Sequence, residues 1–522
     1  MMLPPGAGKS GIYMGWAAWR KKRMCVVVPN KMLQDQVYED FKGLGMLDLR
    51  GQSDPRYTCE VTDGLVSDAP CHGGYDCSIK SSCEYFAKLK RAPSEQLIVT
   101  NYAFWMHNKG ILGDFDAVVF DEGHQAFNQL AQWSNITFSK QMAKEYFHRP
   151  PIRDWKPWAS YQRSLTTDML RALKDKKGKT ADDWDEIRVV KRLHDKLQTL
   201  CDADPKTLIY QESHTGWTWD CVWPGAYRKL LTTNAKKYIF TSGTMTRRTF
   251  RMLGYAQDEY TWGEFPSTFS IKRCPIFILP APGLNFHSSA SELRLHQEVM
   301  DRFLDQFPNC RGLVHSGSYA RAGQILLSSR HSARMITHNN SKGLGEAKER
   351  YYEQENAILI SPAIVEGEDF AYDKARFQVV AKMPFTNPSD PIEAERTRQD
   401  EQYPWYTAAQ KIMQARGRVM RGEDDFGITA ICDGAWDNWF FKRSKHHFTS
   451  YFIDAITPLD ALSKVKIPIS TKPAPIQAKI DASVFEKKLD TPPHTSALST
   501  PRVALFRANS PKKPTRRKPN VE

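Results

Sequence analysis

The sequence has 522 residues, of which 41% are hydrophobic, and its 73 Lys and Arg outnumber 59 Asp and Glu, so the formal net charge is +14. This length suggests roughly three to four domains. The length and the hydrophobic share together exclude a disordered chain or a small disulfide-stapled peptide. No apolar run approaches the ~18 residues that span a bilayer and no signal peptide is recognisable, so we expect a soluble, intracellular protein without a membrane partner.

The first predicted feature is a glycine-rich loop. Residues 4–10 read PPGAGKS and stand directly before a predicted helix. Backbone N–H groups around Gly6 and Gly8 could surround phosphates, Lys9 could reach the β- and γ-phosphates, and Ser10 could hold Mg²⁺. The alternative is an ordinary glycine-rich turn, since a leucine stands where the full phosphate-loop signature has its first glycine.

Short apolar runs rich in β-forming residues recur along the chain, with helical stretches between them. They are Cys25–Val28, Leu97–Thr100, Ala117–Phe120, Tyr238–Thr241, Gly312–His315, Ala357–Ile360, Phe377–Ala381 and Ile428–Cys432. Such runs are typical of buried parallel strands, and their alternation with helices predicts α/β layers. Ligands of these folds bind at the carboxyl ends of the strands.

A group of four cysteines follows the first of these strands. Cys59, Cys71, Cys77 and Cys83 are separated by eleven, five and five residues, whereas the other six cysteines are scattered singly. A reducing compartment disfavours disulfides, so this grouping needs another explanation. Structural zinc usually shows C-x₂₋₄-C pairs, which five-residue gaps fit poorly. Unliganded core thiols are a further alternative.

Residues 118–124 read VVFDEGH, an apolar strand that ends in two acids and a histidine. Asp121 could ligate Mg²⁺ through water, and Glu122 could orient or deprotonate an attacking water. A solvated acidic turn is the alternative. The phosphate loop upstream favours the functional interpretation, because such a loop needs a carboxylate partner.

Between about residues 130 and 225 the sequence becomes charged and aromatic-rich without obvious strands, which predicts a mainly helical insertion. Basic residues there alternate with Trp155, Trp158 and Tyr161. The aromatics could stack on bases while the basic groups follow a phosphate backbone, or they could fill a helical core beneath solvated charges. The second interpretation is favoured for any single tryptophan, and the same caution applies to the aromatic residues between 436 and 441.

Residues 414–421 read QARGRVMR. Arg418 and Arg421 are three residues apart, so on a helix they would share a face, and two guanidinium groups aimed at one site suit a γ-phosphate. A solvated basic helix face is the alternative. The two upstream motifs favour the phosphate-binding interpretation, with Gln414 as part of the same segment.

The positive charge is concentrated at the end of the chain. Residues 501–522 hold seven Lys or Arg and one acidic residue, a net +6, which leaves +8 for the other 500 residues. A surplus of this sign favours a polyanionic partner such as nucleic acid. From about residue 471 the chain is rich in Pro, Ser, Thr and Lys, which predicts a disordered basic tail.

Taken in order, the three segments at 4–10, 118–124 and 414–421 resemble motifs I, II and VI of superfamily 2 helicases, specifically of the XPD/DinG group of iron–sulfur helicases. Further segments match motifs of that group in sequence: VPN at 28–30 with Gln36, IVTNYA at 98–103, TSGTM at 241–245, LVHSGSY at 313–319, VEGEDF at 365–370 and RGEDDFG at 421–427. Tyr102 replaces a histidine of the group and Gly123 replaces an alanine. The resemblance spans about residues 4–435.

The resemblance implies an α/β fold of two RecA-like P-loop NTPase lobes with ATP between them. The implied domains are lobe 1 at 1–127 plus 233–270, an iron–sulfur insertion at 55–90, a helical Arch-like insertion at 128–232, lobe 2 at 271–470 and the disordered basic tail at 471–522. In the group, a buried strand precedes the phosphate loop. We therefore expect that the first strand is missing here and that the natural protein begins further upstream.

The resemblance also implies an ATP-dependent DNA helicase that translocates 5′→3′ on single-stranded DNA and unwinds forked DNA, as a monomer in the cytoplasm of a bacterium or a phage-infected host. Its cofactors would be ATP, Mg²⁺ and a [4Fe–4S] cluster. The resemblance assigns ATP binding and catalysis to Gly6, Gly8, Lys9, Ser10, Asp121, Glu122, Gln414, Arg418 and Arg421, of which Ser10 and Asp121 would hold Mg²⁺. Gly367 and Asp369 would couple the site to nucleic acid. The cluster would be held by Cys59, Cys71, Cys77 and Cys83. The alternatives are an ATPase-deficient nucleic-acid-binding relative and an RNA-directed helicase.

Overall fold

A computed structural model of the chain describes residues 1–4, 6–69, 71, 77–267, 269–285, 287–362, 370–420, 422 and 424–465. The expected site residues Gly367, Asp369 and Arg421 and the predicted tail over 471–522 lie outside these residues. The described chain forms two α/β lobes, each built on a parallel sheet, and a third, smaller sheet. This arrangement confirms the predicted α/β class.

The first lobe is built on a five-stranded parallel sheet with the strand order β2-β3-β1-β4-β8. Its strands are β1 (Met24–Val28), β2 (Leu47–Asp48), β3 (Leu97–Asn101), β4 (Ala117–Asp121) and β8 (Tyr238–Thr241). Its helices are α1 (Lys9–Trp19), α2 (Lys31–Phe41), α4 (Tyr102–Asn108), α5 (Ala126–Ser134) and α9 (Arg247–Met252), and α3 (Glu84–Arg91) lies in the cysteine-containing segment. Every residue of β1 and β4 is buried, because helices cover both faces of the sheet.

An extended segment at residues 1–3 lies beside β8. The backbone N–H of Leu3 donates to Ser242 O at 3.1 Å, and Met2 bridges Ser242 and Glu264. All three residues of the segment are buried. The glycine-rich loop thus follows a short buried segment that is hydrogen-bonded to the residue after β8.

The second lobe is built on a six-stranded parallel sheet with the strand order β11-β12-β10-β13-β14-β9. Its strands are β9 (Ile276–Ile278), β10 (Gly312–His315), β11 (Met335–Thr337), β12 (Ile358–Ser361), β13 (Phe377–Val380) and β14 (Ile428–Ile431). Its helices are α10 (Ala290–Leu304), α11 (Tyr319–Ser328), α12 (Leu344–Glu353), α13 (Pro391–Gln399), α14 (Tyr403–Arg416), α15 (Phe441–Ser444) and α16 (Ser450–Ile453). All eight predicted strands of the two lobes are present.

The insertion between β4 and β8 consists mainly of helices, and it also contains a small sheet where the sequence showed no obvious strands. Beside α6 (Lys140–Tyr146), α7 (Trp155–Asp175) and α8 (Ala181–Asp202) it contains an antiparallel sheet of β5 (Ile136–Ser139), β7 (Gly216–Cys221) and β6 (Leu208–Glu212). The rings of Trp158 and Trp219 stack at 6.0 Å and an angle of 11°, and both are fully buried. The tryptophans that alternate with basic residues therefore fill a core between helices and sheet.

Among the helices of the described residues, none combines the length and the apolar composition that crossing a lipid bilayer requires.

A packing contact in the second lobe gives a test of the fold. A Cβ atom on Gly312 in β10 would lie 2.1 Å from Cζ of Phe377 in the neighbouring strand β13. Gly312→Ala is therefore expected to lower the free energy of unfolding by about 1–3 kcal/mol through overpacking. The control is Gly323→Ala in α11, where a Cβ would meet nothing within 4 Å and alanine should add roughly 0.5–1 kcal/mol. Urea unfolding measures both, and equal stabilities would contradict this packing.

Candidate functional site: a cleft between the two lobes

A cavity of about 280 Å³ lies between the two lobes. Its lining residues come from the glycine-rich loop and α1 (Gly6, Gly8, Lys9, Ser10, Gly11), the start of α2 (Pro29, Asn30, Leu33, Gln36), the turn after β4 (Asp121, Glu122, His124, Gln125), the turn after β8 (Gly243, Thr244) and the end of α14 (Met413, Gln414, Gly417, Arg418). The fold therefore brings together every expected ATP-site residue that the structure describes. Arg421 lies outside the described residues.

The backbone of the glycine-rich loop suits an anion. Gly6 and Gly8 have φ values of 77° and 67°, in the left-handed region that favours glycine. Gly8 is also the N-cap of α1, whose first residue is Lys9. Because these residues line the cavity, the positive end of the helix faces it, where backbone N–H groups of the first turn would stabilise a phosphate.

An ion pair joins this loop to the turn after β4. Lys9 Nζ lies 3.0 Å from Glu122 Oε1, and the two side chains are 15% and 31% exposed. Burial raises the pKa of the Glu122 carboxyl, but the Lys9 ammonium and the His124 ring outweigh burial and hold that pKa well below its usual range. Glu122 is therefore a carboxylate at neutral pH, which is the state that can accept a proton from water.

Asp121 is the buried last residue of β4. Its Oδ2 accepts a hydrogen bond from Tyr13 OH at 3.2 Å, and its Oδ1 accepts one from the backbone N–H of Glu122 at 3.0 Å. Burial raises the pKa of Asp121, Lys9 opposes that shift, and the charge of Glu122 adds to it. A cation beside Asp121 would stabilise its charged form, so this carboxylate suits a Mg²⁺ ion.

A polar network connects Glu122 to the second lobe. Glu122 has a φ of 48°, a left-handed conformation that is uncommon outside glycine. Its Oε2 lies 3.2 Å from His124 Nδ1, which in turn lies 2.7 Å from Ser242 Oγ. On the other edge of the imidazole, His124 Nε2 contacts Gln414 Nε2 at the end of α14. The turn after β4 is thus in direct contact with the second lobe.

One expectation about the second lobe is wrong. Helix α14 ends at Arg416, and Gly417 is its C-cap, so Arg418 lies beyond the helix rather than on its face. The backbone N–H of Arg418 donates to Ala415 O at 2.9 Å, which marks a tight turn at this point. Arg418 still lines the cavity, but the turn and not a helical spacing of three residues places it there.

A second cavity, of about 970 Å³, lies in the second lobe beyond the ends of β9, β13 and β14. The rings of Phe385 and Trp439 stack there at 5.4 Å and an angle of 12°, and Trp405 lines the same cavity. Lys382 and Arg398 also line its wall, where Lys382 Nζ lies 3.9 Å from Asp433 Oδ2 and Arg398 Nη2 lies 2.5 Å from Glu395 Oε1. Residues between 436 and 441 thus divide between two roles, because Trp436 and Phe440 are core residues while Trp439 faces this cavity.

The four clustered cysteines line one small cavity of about 80 Å³. They are Cys59, Cys71, Cys77 and Cys83, and a core of Tyr57, Val66 and Tyr85 lies beside them. Burial and the three neighbouring thiols raise the pKa of Cys71. Within the part of the chain that the structure describes, no three His, Cys, Asp or Glu side chains are grouped so as to hold a single metal ion.

Sequence reasoning missed several residues that support the central cavity. Tyr13 in α1 contacts Asp121. Ser242, directly after β8, contacts both His124 and Glu122. Tyr102 is fully buried, and burial together with Asp121 and Glu122 raises the pKa of its hydroxyl well above the usual value. A signal existed for Ser242 and Tyr102, since both stand in segments that match motifs of the helicase group.

Two family models match the chain. Residues 1–150 match the type III restriction enzyme res subunit, and residues 306–451 match the helicase C-terminal domain. No curated protein matches the sequence. The two matched ranges contain the expected ATP-site residues of lobe 1 and lobe 2 respectively.

Several solved structures share the fold. An XPD helicase is 15% identical with a TM-score of 0.56, and the match covers 88% of this chain and 95% of that one. Xpd4 from S. tokodaii is 12% identical with a TM-score of 0.53 over 88% and 95% of the two chains. An apo XPD structure is 12% identical with a TM-score of 0.51 over 85% and 94%. These likenesses show an architecture of two RecA-like lobes.

Proposed function

We propose that this chain, which matches a helicase C-terminal domain and shares its fold with XPD helicases, is an ATP-dependent DNA helicase that translocates 5′→3′ on single-stranded DNA. The observation that carries the proposal is the cavity between the lobes, in which a glycine-rich loop, two adjacent carboxylates and residues of the second lobe meet. Cavities of this kind open and close as ATP is bound and hydrolysed, which moves the two lobes against each other.

We assign the following roles to the cavity residues. Lys9 and the backbone around Gly6 and Gly8 bind the phosphates of ATP, and Ser10 and Asp121 hold Mg²⁺, which when bound neutralises phosphate charge. Glu122 orients water and accepts its proton. Gln414 and Arg418, with Arg421, complete the site from the second lobe, and Gly367 and Asp369 couple it to nucleic acid.

Contacts between the lobes support this coupling. Tyr451 OH in α16 donates to Gly243 O in the turn after β8 at 2.5 Å. Thr249 in α9 and Tyr406 in α14 share a hydrogen bond of 2.6 Å between their hydroxyl groups. Together with the contact between Gln414 and His124, these bonds join the two lobes. Of these contacts, the one between Gln414 and His124 lies in the wall of the central cavity, so a ligand there would touch residues of both lobes.

The cavity in the second lobe suits a single strand. Stacked Phe385 and Trp439 offer flat apolar faces to bases. A phosphate backbone would compete with Asp433 and Glu395 for the cations of Lys382 and Arg398. Stacking does not distinguish the hydrogen-bonding edges of the bases. The cavity would therefore accept a strand of any base sequence, as a protein that moves along DNA requires. This chemistry would also accept RNA, and strand-displacement assays with both polymers distinguish the two.

The four cysteines suit a [4Fe–4S] cluster, which when bound would cross-link the segment that carries them. Two observations support this assignment. All four line the same small cavity, and the five-residue gaps between Cys71, Cys77 and Cys83 fit the paired spacing of structural zinc poorly. The three neighbouring thiols raise the pKa of Cys71 because negatively charged thiolates repel one another. A cationic group bound between the thiols would remove this repulsion.

The cysteine segment and the insertion at 128–232 would together separate the two strands. Arg188 of α8 donates from Nη1 to Ser67 O in the cysteine segment at 2.8 Å, so the two insertions touch. One strand would pass through the gap that they border while the other is excluded. Strand displacement on a 5′-tailed duplex tests the whole proposal, with a 3′-tailed duplex and an ATP-free reaction as controls.

Unwinding of the 5′-tailed duplex only, and only with ATP and Mg²⁺, is the expected result. Unwinding from the 3′ tail would contradict the direction. DNA binding without DNA-stimulated ATP hydrolysis would instead favour the ATPase-deficient alternative.

Trp439→Ala is expected to weaken binding to oligo(dT) by roughly tenfold or more, since stacking of one base on an aromatic ring contributes ~1–3 kcal/mol. Fluorescence anisotropy measures the Kd. The control is Trp19→Ala, which removes a tryptophan that is 52% exposed on α1 and lies outside both cavities. Equal affinities of the two variants would place the strand elsewhere.

A further inference from the structure

A network of charged side chains lies where α2 meets the start of the cysteine segment. Its three cations and three carboxylates are Lys31, Arg50, Arg56, Asp35, Asp48 and Asp54. Arg50, whose side chain is 2% exposed, is at the centre. Its Nη2 lies 2.5 Å from Asp35 Oδ1, and its Nε lies 2.8 Å from Asp48 Oδ2. One buried guanidinium thus joins α2 to the chain that leads out of β2.

Helix α2 also lines the central cavity. Asn30, Leu33 and Gln36 form part of the cavity wall, and Asn30 caps the helix by accepting a hydrogen bond from the backbone N–H of Leu33 at 2.8 Å. Gln34 is fully buried and donates to Asp48 Oδ1 at 2.6 Å. Asp35 pairs with Arg50. The helix therefore contacts the cavity through some residues and the charged network through others.

The network also contacts the segment that leads to the cysteines. Asp54 Oδ2 lies 3.8 Å from Arg50 Nη1, and Asp54 O accepts a hydrogen bond from the backbone N–H of Tyr57 at 2.9 Å. The ring of Tyr57 packs edge-to-face on Tyr85 at 5.4 Å, within the core beside the cysteine cavity. Cys59 is only two residues beyond Tyr57. A continuous set of contacts thus runs from the central cavity to the cysteine cavity.

Resting on the proposed function, we propose that Arg50 is a positioning residue that transmits the state of the ATP cavity to the cysteine segment, so that strand separation depends on Arg50 while ATP hydrolysis does not. The physical reason is the cost of separating buried charges. The buried guanidinium of Arg50 binds Asp35 on α2 through Nη2 and Asp48 at the end of β2 through Nε. A displacement of α2 alone would break the bond to Asp35 and leave one side of a buried cation without its carboxylate, so we expect α2 to carry the segment around Asp48 and Asp54 with it.

Two variants test the proposal. Arg50→Lys keeps the charge but lacks the fork that reaches several carboxylates, and Asp35→Asn removes one partner, at 41% exposure, from the α2 side. The control is Glu39→Gln on the same helix, which removes a carboxylate that pairs with Lys42 on the surface and is 61% exposed. The readouts are unwinding of the 5′-tailed duplex and ATP hydrolysis stimulated by single-stranded DNA.

Both test variants are expected to unwind at least about tenfold more slowly, while ATP turnover stays within about twofold, so that more ATP is consumed per duplex. Glu39→Gln should match the wild type in both readouts. A purely structural role would lower both rates together. A parallel loss of both rates, or unchanged rates in both test variants, would overturn the proposal.

Hydrogen exchange gives a readout that needs no unwinding. Addition of a non-hydrolysable ATP analogue with Mg²⁺ should change exchange both in residues 9–19 and in residues 51–69 of the wild type. In Arg50→Lys only the first change should remain. An effect confined to residues 9–19 in the wild type would overturn the inference about Arg50 and leave the proposed ATP site in place. No effect in either segment would overturn both.

Discussion

Glu122→Gln is expected to lower DNA-stimulated ATP hydrolysis by about 10²–10⁴-fold, the range that a general base contributes. The amide keeps the size of the side chain, but it cannot accept a proton from water or pair with the ammonium of Lys9, which lies 3.0 Å from Glu122 Oε1. Lys9→Ala should cause a loss of similar size, because it removes the cation that binds phosphate. Phosphate release in the presence of single-stranded DNA measures both effects.

Unwinding should be lost in both variants together with hydrolysis. The exposed variant Glu39→Gln serves as the matched control, since it makes the same chemical change outside the cavity. Retention of wild-type unwinding by Lys9→Ala or Glu122→Gln would falsify the assignment of the site. Thermal unfolding of each variant separates loss of chemistry from loss of fold.

The second large effect concerns the cysteines. Cys77→Ser removes one of the four thiols that line the cysteine cavity, so the protein is expected to lose most of its iron and of its visible absorption, and to unwind at least about tenfold more slowly. Iron and zinc analysis with a visible spectrum measures the first loss. Strand displacement on the 5′-tailed duplex measures the second.

Cys201→Ser is the matched control, because Cys201 is a free, half-buried thiol at the end of α8 and does not line the cysteine cavity. It should keep wild-type iron content and unwinding. A colourless wild-type protein with stoichiometric zinc would contradict the cluster and favour the structural zinc that the spacing left open. Iron that persists in Cys77→Ser would contradict the assignment of that ligand.

The sequence predicted the two lobes well for a physical reason. A strand that is buried on both faces, such as β1 or β4, has a continuous run of apolar residues. Surface helices and strands have mixed apolar and polar patterns, so such a run is easy to recognise in the sequence. Parallel strands also bring their carboxyl ends to one edge, so residues that follow different strands meet there. Asp121 at the end of β4 and Glu122 just after it therefore lie in one cavity with residues of the turn after β8, as the order of the motifs implies.

The sequence analysis missed two kinds of feature: very short strands, and cavities formed by residues that are far apart in the chain. Strands β2, β9 and β11 have only two or three residues, too few for a recognisable pattern. In the insertion, β5 shows alternating burial, but its four residues stand among charged helices and were absorbed into the helical prediction. The cavity of the second lobe joins Phe385, Trp405 and Trp439, which share no spacing that a sequence pattern detects.

Both insertions are connected to the first lobe, and the hydrogen bond from Arg188 to Ser67 joins them to each other. The first lobe and the two insertions therefore form a closed ring of contacts. If one DNA strand passes through the gap they border, that strand is encircled. A linear molecule can thread through by its end, but a covalently closed circle can enter only when the two insertions part. Loading on circular single-stranded DNA would then be limited by how often this junction opens, and a strand already inside would be retained between successive rounds of ATP turnover.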